Sequence, residues 1–316
     1  MDRREFLALG ASIALAPRTA AAELAAPPLA LVTADLEARL VVVDLRNGRA
    51  RGSIRTLPHP RSIETVGGTA VVAHSEIGAV TLVDAATLRP VRVLRAFREP
   101  RYTAAHPHGR YAFVTDAELG HVVTIDVVRG EIVGRCQVGR LARHVTIGPR
   151  GRALWVALGS KAEEIAIVDV RMPARPRLVR TFRPPFLAHD VGWSPSGRHV
   201  WVTSGDRVDV AIYEVRTTRV ARVISADTPP QHVTFARDTA YVASGWSGTL
   251  RVHRTDGTAV SWTAVPVGSY NVQYGAERIV TPSLERGTIS ILDERGRVLR
   301  SRRIATSCHD SCVVTQ

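Results

Sequence analysis

Two sets of residues in this 316-residue chain could do chemistry. The first is the run Cys308-His309-Asp310-Ser311-Cys312. Its two thiols could close a disulfide, provided that the segment folds back, because an extended run holds the Cα atoms too far apart. With His309 they could instead ligate a soft metal, completed by His144 or His232 from elsewhere in the chain. Free thiols are the third reading. A single C-x-x-x-C lacks the second pair that structural zinc sites commonly use, and the run is not the C-x-x-C-H of haem attachment. Cys136 is the third cysteine, so any disulfide leaves one thiol over. It falls in a strand-like run, Ile132 to Val138, and reads as a packed thiol.

The second set is a dipeptide that recurs along the chain: Arg61-Ser62, Arg101-Tyr102, Arg143-His144, His189-Asp190, Gln231-His232, Tyr270-Asn271 and Ser311-Cys312. Arginines in three successive pairs suit an anion, since guanidinium forks grip carboxylate or phosphate through two hydrogen bonds. The residues assigned to such a ligand are Arg61, Arg101, Arg143, His144, His189, Asp190, His232, Tyr270 and His309. The blander reading has the same residues solvating a water-filled channel. Close like charges need an answer. If no anion supplies it, loop carboxylates such as Glu76 and Glu118 must. No G-x-S-x-G elbow, P-loop or G-x-G-x-x-G fingerprint occurs, so no catalytic constellation is legible.

A repeat must position these residues. Its clearest unit is Val138 to Val170, with short alternating runs at His144–Ile147, Ala153–Ala157 and Ile165–Asp169, and a fourth at Arg177–Thr181. An apolar residue followed by Asp closes the third run at Asp44, Asp84, Asp126, Asp169 and Asp293, and decays at Glu214 and Arg254, giving steps of 40, 42, 43, 45, 40 and 39 residues. Four short strands every forty or so residues is the signature of a propeller. Seven copies predict an all-β fold, a seven-bladed β-propeller. The repeated aspartates then serve turns and strand ends. The first blade begins at its second strand, Leu29 to Thr33, and lacks an inner one. The C-terminal run Cys312-Val313-Val314-Thr315 is expected to fill that place and to close the ring. The recurring dipeptides fall in the loop entering each inner strand, near the axis on one face.

The hairpins His106-Pro107-His108-Gly109, Gly148-Pro149-Arg150-Gly151 and Ser194-Pro195-Ser196-Gly197 share Pro second and Gly fourth, as a tight turn requires. With Val138-Gly139, Trp155-Val156-Ala157, Trp201-Val202-Thr203 and Ile167-Val168-Asp169, they make residues 29–316 resemble the YVTN-type repeat family, seven-bladed relatives of WD40 propellers. The resemblance implies the fold and leaves the function open, because propellers host many functions. Lactonases and the haem d1 domains of nitrite reductases use propellers too, by analogy of fold alone.

Residues 1–22 read as a targeting segment. Arg3-Arg4-Glu5-Phe6-Leu7 is a twin-arginine pattern, a weakly apolar stretch runs to Ala16, and Ala20-Ala21-Ala22 offers a cleavage site. It resembles a Tat signal, which implies export of a folded protein to the periplasm or beyond; residues 23–28 are left as a short tether. No later apolar run approaches membrane-spanning length. The net charge of +13 is almost wholly arginine and spread through every repeat, without the clustered basic and aromatic residues of a nucleic-acid surface. The expected protein is therefore an exported, non-catalytic, monomeric propeller that binds a small anion or a periplasmic partner protein at its axial face. The alternative is a periplasmic enzyme or cofactor protein with a metal or haem-like group on the axis. A structural repeat protein is a third reading.

Overall fold

The structure is a computed structural model that describes residues 27–314. The targeting segment and most of the tether lie outside the described residues. Among the described residues, twenty-eight strands form seven four-stranded antiparallel sheets, each with one strand on the axis and one at the rim. Each inner strand touches those of the blades before and after it, and the last touches the first, so the ring is closed. Among the described residues, no helix is long and apolar enough to cross a membrane.

Burial follows the place of a strand in its sheet. Second strands are nearly continuous apolar runs, because both faces pack against neighbouring blades. Phe113, Trp155, Trp201 and Tyr241 occupy the same position in four of them and are fully buried. Between the fourth and fifth blades, Trp155 meets Phe182, Trp193 and Tyr213 with ring centroids 5.1, 6.3 and 5.6 Å away. Outer strands are mostly exposed, with single anchors such as Ile54 and Ile224 buried; Val298–Arg303 buries nothing. Much of the arginine lies there, on solvated rims.

The turns form as their residues dictate. Gly109, Gly151 and Gly197 have φ of 68°, 65° and 71°, and each donates its N–H to the carbonyl three residues back, at 2.8, 2.8 and 2.9 Å. At Gly151 a Cβ would stand 2.5 Å from the ring of His106, so glycine is required twice over. The repeated aspartates cap turns: Asp44, Asp84, Asp126, Asp169 and Asp293 each accept backbone N–H groups from the residues that follow.

Blade one is assembled from both ends of the chain. Its strands run Ser311–Val314, Leu29–Ala34, Arg39–Asp44 and Ala50–Arg55. The closing strand pairs Leu29 with Val314 and Val32 with Ser311, and the Val313 carbonyl accepts from Thr65 Oγ1 of blade two at 3.0 Å. Cys312 and Val314 are buried in the core between these blades. Losing two such side chains and exposing a sheet edge costs several times roughly 1.5–3 kcal/mol. Deleting Cys312 to Gln316 is therefore expected to lower Tm by about 10 °C or more, read by circular dichroism. An unchanged Tm would show that the closing strand does not hold the ring.

Candidate functional site

A regular strand sends successive side chains to opposite faces, yet the axis needs two neighbours from each inner strand. A bulge supplies them. Regular pairing breaks between Pro60 and Ser62, Pro100 and Thr103, Ala142 and Val145, and Ala188 and Val191. The recurring dipeptides lie in these breaks, where the extra residue re-aims the chain. In blades six and seven the inner strands begin only after Gln231-His232 and Tyr270-Asn271. Threonines of the second strands pin the irregular backbone. Thr115, Thr203 and Thr33 accept the N–H groups of Tyr102, Asp190 and Asp310 on Oγ1 at 3.1, 2.9 and 2.9 Å.

Two rings result. The outer ring, at the channel mouth, is Arg61, Arg101, Arg143, His189, Gln231, Tyr270 and His309. The inner ring is Ser62, Tyr102, His144, Asp190, His232, Asn271 and Asp310. All seven inner-ring residues line one axial cavity of about 310 Å³, whose wall continues through Glu64, Thr146, Thr234 and Gln273.

Blade one corrects the sequence reading. Its contribution is His309-Asp310, two residues earlier than the expected Ser311-Cys312. Val32 pairs with Ser311 as Val202 pairs with Val191 and Val114 with Thr103. The carboxylate of Asp310 accepts from Ile63 N, one blade on, at 3.1 Å, as that of Asp190 accepts from Val233 N at 3.1 Å. A two-residue slip keeps the alternation of faces, so the apolar pattern alone could not exclude it. The expected disulfide is not formed: Cys308 and Cys312 are free, buried in separate clusters packed against blades seven and two. Burial pushes both thiols up, Cys308 to about 12, so neither is a ready thiolate. The metal set Cys308, His309 and Cys312 is likewise not assembled.

What does assemble is a histidine cluster. One ring nitrogen from each of His144, His189 and His232 lies within 4.8 Å of the others, and among the described residues this is the group able to share an ion. His189 Nδ1 lies 2.9 Å from the Ser160 carbonyl and His232 Nδ1 3.4 Å from Asp190 Oδ2. The carbonyl can only accept, so His189 carries Nδ1–H and its Nε2 keeps a free lone pair. His144 is buried and neither of its nitrogens has a partner. Burial, then the neighbouring histidines, holds His144 well below the usual imidazole range and His189 down to about 3, so both are neutral at pH 7. The Tyr102 ring packs 4.2 Å from His144 and 5.4 Å from His232.

The arginines differ from one another. Arg101 Nη1 is 3.0 Å from Glu99, and Arg61 Nη1 3.8 Å from Asp35. Burial, then Arg143, lowers the pKa of Arg101. Among the described residues no carboxylate reaches Arg143; its guanidinium lies 5.9 Å over the Tyr102 ring and its Nε is buried without a partner. Glu76 faces His59 at 3.4 Å, so the answering carboxylates are Asp35 and Glu99 in its place. Tyr270 donates to Glu285 at 3.0 Å and meets Trp246 edge to face, with ring centroids 6.0 Å apart. His309 holds the Arg61 carbonyl at 2.5 Å through Nδ1.

No protein-family model and no curated protein matches the chain. Among solved structures, hydrazine synthase of Kuenenia stuttgartiensis is similar at a TM-score of 0.65 and 18% identity, over 80% of this chain and 89% of that one. The dihydro-haem d1 dehydrogenase NirN in complex with DHE is similar at 0.63 and 18%, over 88% of this chain and 63% of that one. At such identity the likeness shows the fold: this is a seven-bladed β-propeller.

Deeper in the channel, burial and then the nearby Asp310 raise Glu64 to about 7 from its ordinary 4.5. The folded state thus favours protonated Glu64. Its stabilising effect is full below about pH 4.5 and is lost as pH rises through 7. Replacing it by Gln removes that loss, so the Tm gain of Glu64→Gln over the wild type should be larger at pH 8 than at pH 5. Equal differences at both pH values would contradict the assignment.

Proposed function

We propose that this protein is a metal-binding propeller that holds one divalent first-row transition ion on its axis through His144, His189 and His232. The observation that carries the reading is His144, a buried imidazole with two unpartnered nitrogens, set within 4.8 Å of a ring nitrogen of His189 and of His232. An unmet buried polar group costs roughly 1–3 kcal/mol, and an ion on one nitrogen turns that cost into binding. Imidazole ligands suit zinc, copper, iron and nickel. A tetrahedral ion with bonds of about 2.0–2.1 Å needs nitrogens roughly 3.3 Å apart, so binding draws the rings inward. Three protein ligands leave a fourth position open, the pattern of reactive rather than purely structural sites. The Ser160 carbonyl and Asp190 fix tautomer and ring angle, as outer-sphere partners of metal-bound histidines do.

A tetrapyrrole of the kind bound by the haem d1 neighbour does not suit these residues. A macrocycle fills four positions around its metal and leaves two on opposite sides, whereas three adjacent imidazoles converge here. The twin-arginine pattern supports export, and a ring folded before export would cross with its ion in place.

Untagged protein, stripped with chelator and titrated with Zn(II) or Co(II) in a calorimeter, is expected to bind one ion. His144→Ala should abolish that binding, and Asp190→Asn should weaken it about 10–100-fold. Absence of binding by wild type, or binding unaltered in a folded His144→Ala variant, would overturn the reading.

A further inference from the structure

We propose that the open position on the ion takes a small oxyanion or carboxylate, and that Arg143 is the residue that fixes it. The proposal rests on the metal reading above. Three arginines line the mouth, and the structure separates them. Arg61 and Arg101 each face a carboxylate, at 3.8 and 3.0 Å. Arg143 faces none among the described residues; its Nε, like that of Arg61, is buried and unpartnered, so the missing carboxylate is what sets it apart. It directly precedes His144 in the same bulge, and its guanidinium stands over the ring that packs against His144, 5.9 Å from the centroid. The Tyr102 ring therefore lies between the unpaired cation and one of the ion's ligands.

Charge leads to the same ligand. With a divalent ion bound, Arg61 and Asp35 cancel, as do Arg101 and Glu99. Arg143 and the ion together exceed what Asp190 and Asp310 neutralise by one positive charge when Glu64, the third carboxyl on the cavity wall, is protonated. A small anion that ligates the metal with one oxygen and accepts from Arg143 with another removes the excess and fills the orphaned donor. The guanidinium fork prefers a planar or tetrahedral oxyanion, which offers two oxygens at the spacing of its N–H groups. A halide satisfies the charge but not the fork. Such selection among anions is what Arg143 would add to the bare ion.

The test uses Co(II)-loaded protein, whose visible spectrum reports the ion's coordination. Acetate and inorganic phosphate are the probes; acetamide is the neutral control. The wild type should show saturable spectral changes with acetate or phosphate and none with acetamide. Arg143→Gln should still load cobalt, which shows that the ring is intact, and should bind the anion at least about tenfold more weakly. Arg143→Lys should recover part of the loss, and Arg101→Gln should lose less than Arg143→Gln, because Glu99 already answers Arg101. Failure to load cobalt would overturn the metal reading and this inference with it. Cobalt uptake with spectra blind to both anions, or with equal anion affinity in wild type and Arg143→Gln, would overturn this inference alone.

Discussion

The axial site depends on a break in the inner strands. Uninterrupted pairing would send Arg143 and His144, or His189 and Asp190, to opposite faces of their blade. The bulges between Ala142 and Val145 and between Ala188 and Val191 turn both residues of each pair toward the axis. Each break frees backbone groups that would otherwise be unmet inside the ring. Second-strand threonines meet that need; Thr203 accepts from Asp190 N and donates to the Gln231 carbonyl of the next blade at 2.8 Å. The same hydroxyl thus holds a bulge open and ties two blades together.

That arrangement concentrates polar groups where water is scarce. His144 and His189 respond by staying neutral, which leaves lone pairs rather than charges on them. The carboxylate of Asp310 rises to about 6, through burial and against the pull of His232. Arginines cannot discharge in this way, so they collect partners, and Arg143 is left over. A divalent ion on the imidazoles and an anion beside Arg143 together satisfy groups that neither would satisfy alone.

Much of this was legible in the residues. The forty-residue ruler and its Pro-Gly hairpins led to seven blades, and the recurring dipeptides marked the axis. The C-terminal register was not legible from hydrophobicity, because Cys312 and Val314 alternate equally well two residues out of place. A signal was present nonetheless: His189-Asp190 recurs as His309-Asp310, and matching those pairs gives the observed alignment. The thiols flanking that histidine suit a disulfide in the sequence, but Cys308 and Cys312 pack in separate clusters. Which histidines converge was not readable either. It depends on ring orientation set by the Ser160 carbonyl, a backbone group that no side-chain pattern reveals.

X-ray absorption at the metal edge of the loaded protein addresses the three-histidine centre most directly. The account predicts a first shell of light atoms at about 2.0–2.1 Å with the outer-shell scattering of three imidazoles and no sulfur. A sulfur shell near 2.3 Å, or fewer than three imidazoles, would contradict it.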